Sequence, residues 1–132
     1  MRSCCRVALF VAMMMLAACA PKADNPAEAA ARTAKLYYDA LLEEKYDEFV
    51  AGLDQHLGPD AGYDAQLSAN ARMFLRQQKE AHQGIVAFEV AGVECDESVH
   101  AANVFLNVQF ADSTKEQIVV PMIERDDVWL MR

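Results

Sequence analysis

What this chain lacks already narrows its function. It is short of positive charge, with 12 lysines and arginines against 20 acidic residues. Nucleic-acid binding draws its affinity from Lys/Arg clusters on phosphate, so so acidic a domain carries no electrostatic footprint for it. Its N-terminal apolar run, Val7 to Ala18, holds twelve residues, whereas a spanning helix needs roughly 20. Cysteine is scarce: Cys4, Cys5 and Cys19 lie near the N-terminus and only Cys95 lies in the body of the chain. No intrachain disulfide framework is expected there, and Cys95 reads as a strand residue or a free thiol. His56, His82 and His100 show no local metal spacing such as i,i+4 on one helix, so neither metal nor cofactor is expected. Internal repeats and low-complexity tracts are also missing.

What is present begins with a secretory pattern. Arg2 and Arg6 flank a polar start, the apolar run follows, and small residues lead into Cys19. Leu16-Ala17-Ala18-Cys19 resembles the lipobox of bacterial lipoproteins. That resemblance implies cleavage of residues 1–18, acylation of Cys19 and attachment to a membrane through the lipid. An ordinary signal peptide is the alternative, because Ala18-Cys19-Ala20 also fits an A-x-A site and would release a soluble periplasmic protein. Several acyl chains hold durably where one binds reversibly, since each buried methylene contributes about 0.8 kcal/mol. Ala20 rather than an aspartate follows the cysteine, so the periplasmic face of the outer membrane is the expected location. Removing residues 1–18 takes away two basic residues and no acidic ones, leaving ten against twenty and a net charge of −10. An anionic bilayer surface would repel such a domain, so the lipid must do the anchoring. Residues 19–24 form only a short tether, and residues 25–132 suffice for one domain.

Periodicity predicts three helical segments and then strands. Asn25 is a good N-cap, Pro26 suits the first helical position and Glu28 completes a capping-box-like start. Ala30, Ala34, Tyr37, Tyr38, Leu41 and Leu42 recur at helical spacing. Glu43-Glu44-Lys45 marks a bend, and Tyr46, Phe49, Val50 and Leu53 supply a second stripe. Gly58-Pro59-Asp60 breaks the chain before a third helix from Asp64 to about His82, closed by Gly84 in the left-handed cap position. Arg72, Arg76 and Lys79 form the only basic cluster of the domain and read as a solvated face.

Beyond Gly84 the period falls to two. Strands are expected at Ile85–Glu94, with a bulge near Gly92, at His100–Phe110, at Gln117–Glu124 and at Val128–Met131. Pro121 has no amide donor and should lie at an edge, a bulge or a strand break. The expected class is α+β, with N-terminal helices packed on one face of a curved antiparallel sheet.

This order of elements, with Asn25-Pro26-Ala27-Glu28, the passage from Tyr37 to Phe49 and the closing Asp126-Asp127-Val128-Trp129-Leu130-Met131, resembles the nuclear-transport-factor-2-like superfamily. It is most similar to the small bacterial lipoproteins of unknown function within it. The resemblance implies a cone in which helices wrap a curved sheet around a cleft. Some relatives use that cleft for proton transfer, others hold ligands, and many fill it with side chains. One departure is that Asp126-Asp127 stands where a glycine commonly precedes the tryptophan.

Tyr37, Tyr38, Phe74, Phe88 and Trp129 are the candidate cleft-lining residues, with Met122 and Met131 as flexible neighbours. Adjacent helical residues are about 100° apart, so only one of Tyr37 and Tyr38 is expected to face inward. Phe105 stands among Asn103 and Asn107 on the polar side of its strand and marks an interface candidate, including for a homodimer. An enzyme would need an acid or base in the cleft, and Tyr37, Tyr38, Asp39, His82 and His100 are the types available. His82 is explained by helix capping and His100 by an exposed strand start near Glu97. No catalytic residue is assigned. The expectation is therefore a non-enzymatic, membrane-anchored envelope protein that binds an envelope partner or a small apolar ligand. The alternative is a cleft enzyme of isomerase or dehydratase type. Metabolic labelling with palmitate tests the anchor: the wild type takes up label and Cys19→Ala does not, whereas an unlabelled wild type removes it.

Overall fold

The computed structural model describes residues 25–54 and 61–132. The signal 1–18, Cys19, the tether 19–24 and His56 lie outside the described residues.

Asn25 opens helix α1 (Pro26–Leu42), its side-chain oxygen accepting the Glu28 amide at 2.8 Å, with Pro26 in the first turn where its missing N–H costs nothing. The helix ends at the expected bend. Glu44 takes a left-handed φ of 62°, and the amides of Glu44 and Lys45 reach back to the carbonyls of Leu41 and Ala40. This is a Schellman-type stop with a glutamate where glycine is usual. Helix α2 (Tyr46–Ala51) follows, then helix α3 (Ala61–His82), which begins three residues before the predicted start. Its left-handed cap falls on Gln83 (φ 65°), one residue before Gly84 (φ 111°), which corrects the predicted position.

Four strands form one antiparallel meander in the order β1 (Ile85–Asp96), β2 (Ala101–Phe110), β3 (Lys115–Arg125), β4 (Val128–Met131). The register of β1 on β2 slips between Val90 and Gly92, the bulge the sequence placed there, and again near Val86. Past Gly92 the inward set becomes Val93 and Cys95, opposite Val104 and Ala102. A short 3₁₀ turn (Glu97–Val99) leads to His100, which is left-handed at φ 51° and precedes β2 instead of opening it. Asp126 and Asp127 both adopt positive φ (51° and 63°), so the β3–β4 connection is a type I′ turn built without glycine, aspartate being tolerant of that region.

Pro121 pairs with Asn103 on β2, and its carbonyl accepts the Arg132 amide at 2.9 Å on the β4 side. Its missing donor faces that same side, where β4 stops, so the proline sits at a local edge as its chemistry requires. The chain is thus α+β, with α1 laid across one face of the sheet. Ala30, Ala34, Phe88, Val104, Leu106, Met122, Trp129 and Met131 meet in the core beneath it. No helix among the described residues is long and apolar enough to cross a membrane.

The end of α2 is stitched to the end of the sheet. Gly52 accepts from and Asp54 donates to Met131 through backbone bonds of 2.7 Å, a parallel bridge centred on Leu53. Gly52 leaves no room for a side chain, since a Cβ there would stand 2.6 Å from the Tyr37 ring. Gly52→Ala should therefore lower stability by about 1–3 kcal/mol through overpacking. The check is a lower urea midpoint at unchanged slope.

Candidate functional site

Two faces of α1 create the site. Tyr37 and Tyr38 diverge around the helix, but α1 is enclosed on more than one side, so both are half-buried. The expectation that only one turns inward is corrected. Tyr37 lies over Gly52 and donates its hydroxyl to the Trp129 carbonyl at 2.9 Å. Tyr38 points the other way, edge-on to Phe49 (5.5 Å between ring centres) and to Phe88 (5.1 Å). Burial raises the pKa of both phenols, so each remains a neutral donor at physiological pH.

Beyond Tyr38 opens a cavity of about 340 Å³ between the helices and β3. Tyr38 and Leu41 of α1, Phe49 of α2 and Leu53 just beyond it form one wall. Leu67, Asn70, Ala71 and Phe74 of α3 form another, and Ile118 and Val119 of β3 close it. Among the described residues, Asn70 is the only side chain on this lining that offers an amide, and no carboxylate, imidazole, thiol or aliphatic hydroxyl lies on it.

Of the five candidate cleft residues, the structure brings Tyr38 and Phe74 together on the cavity. Phe88 is fully buried behind Tyr38, while Trp129 is core and Tyr37 is spent in the clasp with it, so these three do not line it. Met122 and Met131 are likewise core. Sequence reasoning missed Leu41, Phe49, Leu53, Leu67 and Ala71 as lining residues. Their helical stripes were visible, but a stripe that fills a core and one that borders a gap have the same period. Phe105 is half-buried on the outer face of the sheet, opposite the half-exposed Val119.

The other titratable candidates lie elsewhere. Asp39 pairs with Lys35 at 2.6 Å along α1. His100 is mostly exposed, with Glu124 rather than Glu97 as its nearest acid at 3.6 Å. His82 ends α3 stacked on Phe110 at 4.1 Å, with Nδ1 3.0 Å from the Asp112 carboxylate and 3.2 Å from the Thr114 hydroxyl. This cluster pins the end of α3 to the β2–β3 turn, aided by backbone bonds from Asp112 to His82 and from Ala111 to Gly84. Cys95 is half-buried on β1, its thiol pKa raised by burial and then by Glu97, Asp96 and Glu124. Arg72 lies over the Tyr46 ring at 5.0 Å, and Arg76 and Lys79 are exposed beside it on α3. Among the described residues no group of three or more His, Cys, Asp or Glu is placed to hold a metal.

No family model matches the chain, and neither does any curated protein. Among solved structures it is similar to a Campylobacter jejuni protein named as an NTF2-like transpeptidase, with a TM-score of 0.63 at 13% identity. The match covers 76% of this chain and 94% of that one. The fold is therefore nuclear-transport-factor-2-like: helices on a curved four-stranded antiparallel sheet.

The pinned turn makes an acid-sensitivity prediction. Asp112 is held below the ordinary carboxylate pKa by the Thr114 hydroxyl, then the Thr114 amide, then His82. A lowered folded pKa adds stability above the unfolded value of about 3.9 and loses it as pH falls through the folded value. Asp112→Ala should be less stable than wild type at neutral pH, with the gap narrowing once the pH drops below the carboxylate range. Urea midpoints across pH check this, and a gap that does not narrow contradicts it.

Proposed function

We propose that this chain is a lipid-anchored envelope protein whose domain binds an apolar ligand or partner segment in the cavity between α1, α2, α3 and β3, without catalysis. The observation that carries this reading is the lining itself. Among the described residues nearly every side chain on it is aliphatic or aromatic, and the polar groups are one amide and one phenol. Such a surface recognises by area and shape, with Asn70 and Tyr38 available to orient the bound group. Proton-transfer chemistry needs a base tuned near the working pH, and Tyr38, the one titratable lining group among the described residues, has its pKa pushed upward. Transpeptidation, named for the Campylobacter protein, needs a nucleophile such as a serine or cysteine, and neither lines the cavity among the described residues. The lipobox-like Leu16–Cys19 supports the anchor, and Ala20 in place of an aspartate after it supports an outer-membrane location.

Photolabelling of the full chain with a neutral alkyl-diazirine probe tests the reading. Label should concentrate on the α3 and β3 residues of the cavity, mapped by mass spectrometry. Ala71→Phe, which fills the cavity from a buried position, should reduce it about tenfold, a loss of about 1.4 kcal/mol. Label spread evenly over the surface, or unchanged in the filled variant, would sink the proposal.

A further inference from the structure

The middle of the sheet carries a second surface, on the side away from α1. The inner side chains of β2, from Ala102 to Phe110, are all buried, and their alternates point outward. In register, Glu89, Asn107 and Gln117 form one outer row. Gly92, Phe105 and Val119 form the next, and Glu94, Asn103 and Pro121 the one after. Phe105 is the one aromatic strand residue on this face among the described residues. Val119 on one flank is 51% exposed. On the other flank a Cβ added to Gly92 would meet nothing within 4 Å, so no side chain closes over that side of the ring.

Charge on this face is sorted by strand. Glu89, Glu94 and Asp96 lie on β1, and β2 carries no charge at all. On β3 the face has Lys115 at one end and, at the other, Arg125 already paired with Asp54. Two copies of one face that pack on each other are related by a two-fold axis lying between them. An axis across the strands sets β1 on β1 and brings the acids together, which repels. An axis along the strands, midway between β2 and β3, sets β2 on β3 instead. Phe105 then covers the partner's Val119, and Asn107 meets the partner's Gln117. Glu89 comes within side-chain reach of the partner's Lys115, whereas in one chain these two stand two strands apart.

We propose that this face joins two copies of the chain, packed sheet on sheet with aligned strands and with each Phe105 seated on the partner's Val119. The face fits itself: its apolar centre meets the same apolar centre, its amides meet amides, and its acidic margin meets a basic one. The argument uses the β1–β3 part of the sheet and is independent of the cavity reading.

Sedimentation of the full chain across a concentration series tests this, in neutral detergent with micelles in excess and reductant present. The wild type should reach twice the chain mass. Phe105→Glu should raise the dimer dissociation constant at least tenfold, as loss of a central aromatic does. Each dimer holds two Glu89–Lys115 contacts, so Lys115→Glu should raise it about fivefold. Adding Glu89→Lys to that variant should return the wild-type value. Both charged side chains are exposed, so the swap decides the matter even where Phe105→Glu fails to fold. A wild type that stays single, whether the face is bare or covered by residues before Asn25, overturns the proposal. So does a dimer indifferent to Phe105→Glu, or a charge swap that restores nothing.

Discussion

One hydrogen bond holds the two ends of the fold together. The Tyr37 hydroxyl on the Trp129 carbonyl joins α1 to β4 across 92 positions of sequence. Around it, Gly52 presses against the ring, Leu53 bridges to Met131, and Asp54 receives Arg125 Nε at 3.0 Å and 3.1 Å. A buried hydroxyl bond contributes only about 1 kcal/mol net. Its weight here is positional, because it fixes the rotation of α1. With Tyr37 held, Tyr38 has one direction left, toward Phe49, Phe88 and the cavity.

The cavity follows from that arrangement and from how lightly α3 is docked. Among the described α3 side chains only that of Ala71 falls to core exposure, while Tyr63 and Met73 are half-exposed. The helix is held at its far end by His82 on Asp112 and Phe110, and near its middle by Arg72 over Tyr46. Around Arg72 its apolar side, Leu67, Ala71 and Phe74, faces Tyr38, Leu41 and Ile118 across a gap. The result is an apolar cavity whose lining carries no charged side chain among the described residues.

Much of this architecture is legible in the residues. The cap at Asn25, the stop after Leu42, the bulge at Gly92 and the edge position of Pro121 are local consequences of side-chain chemistry, and each appears where that chemistry puts it. The fourth strand and its glycine-free turn are read the same way, from Asp126 and Asp127. The site is less legible. Helical period shows that Leu67, Ala71 and Phe74 share a side, but whether that side touches a neighbour or borders a void depends on distances between elements. Trp129 illustrates the converse: an aromatic in a cleft-forming fold, yet wholly absorbed by the core. The pairing of His100 with Glu124 is equally hidden, since it depends on the register of strands and not on neighbours in sequence.

The sequential order of the meander has a kinetic consequence. Each strand pairs with the next along the chain, so the sheet needs only short loops to close. The Tyr37–Trp129 contact closes a far longer loop and gains nothing until β4 exists. The order this implies is hairpins first, with α1 docking afterwards on a sheet already formed. A chain emerging N-terminus first would then leave the Tyr37 hydroxyl without its Trp129 acceptor until residues 128–131 arrive, so the contact that fixes the rotation of α1 is the last to close.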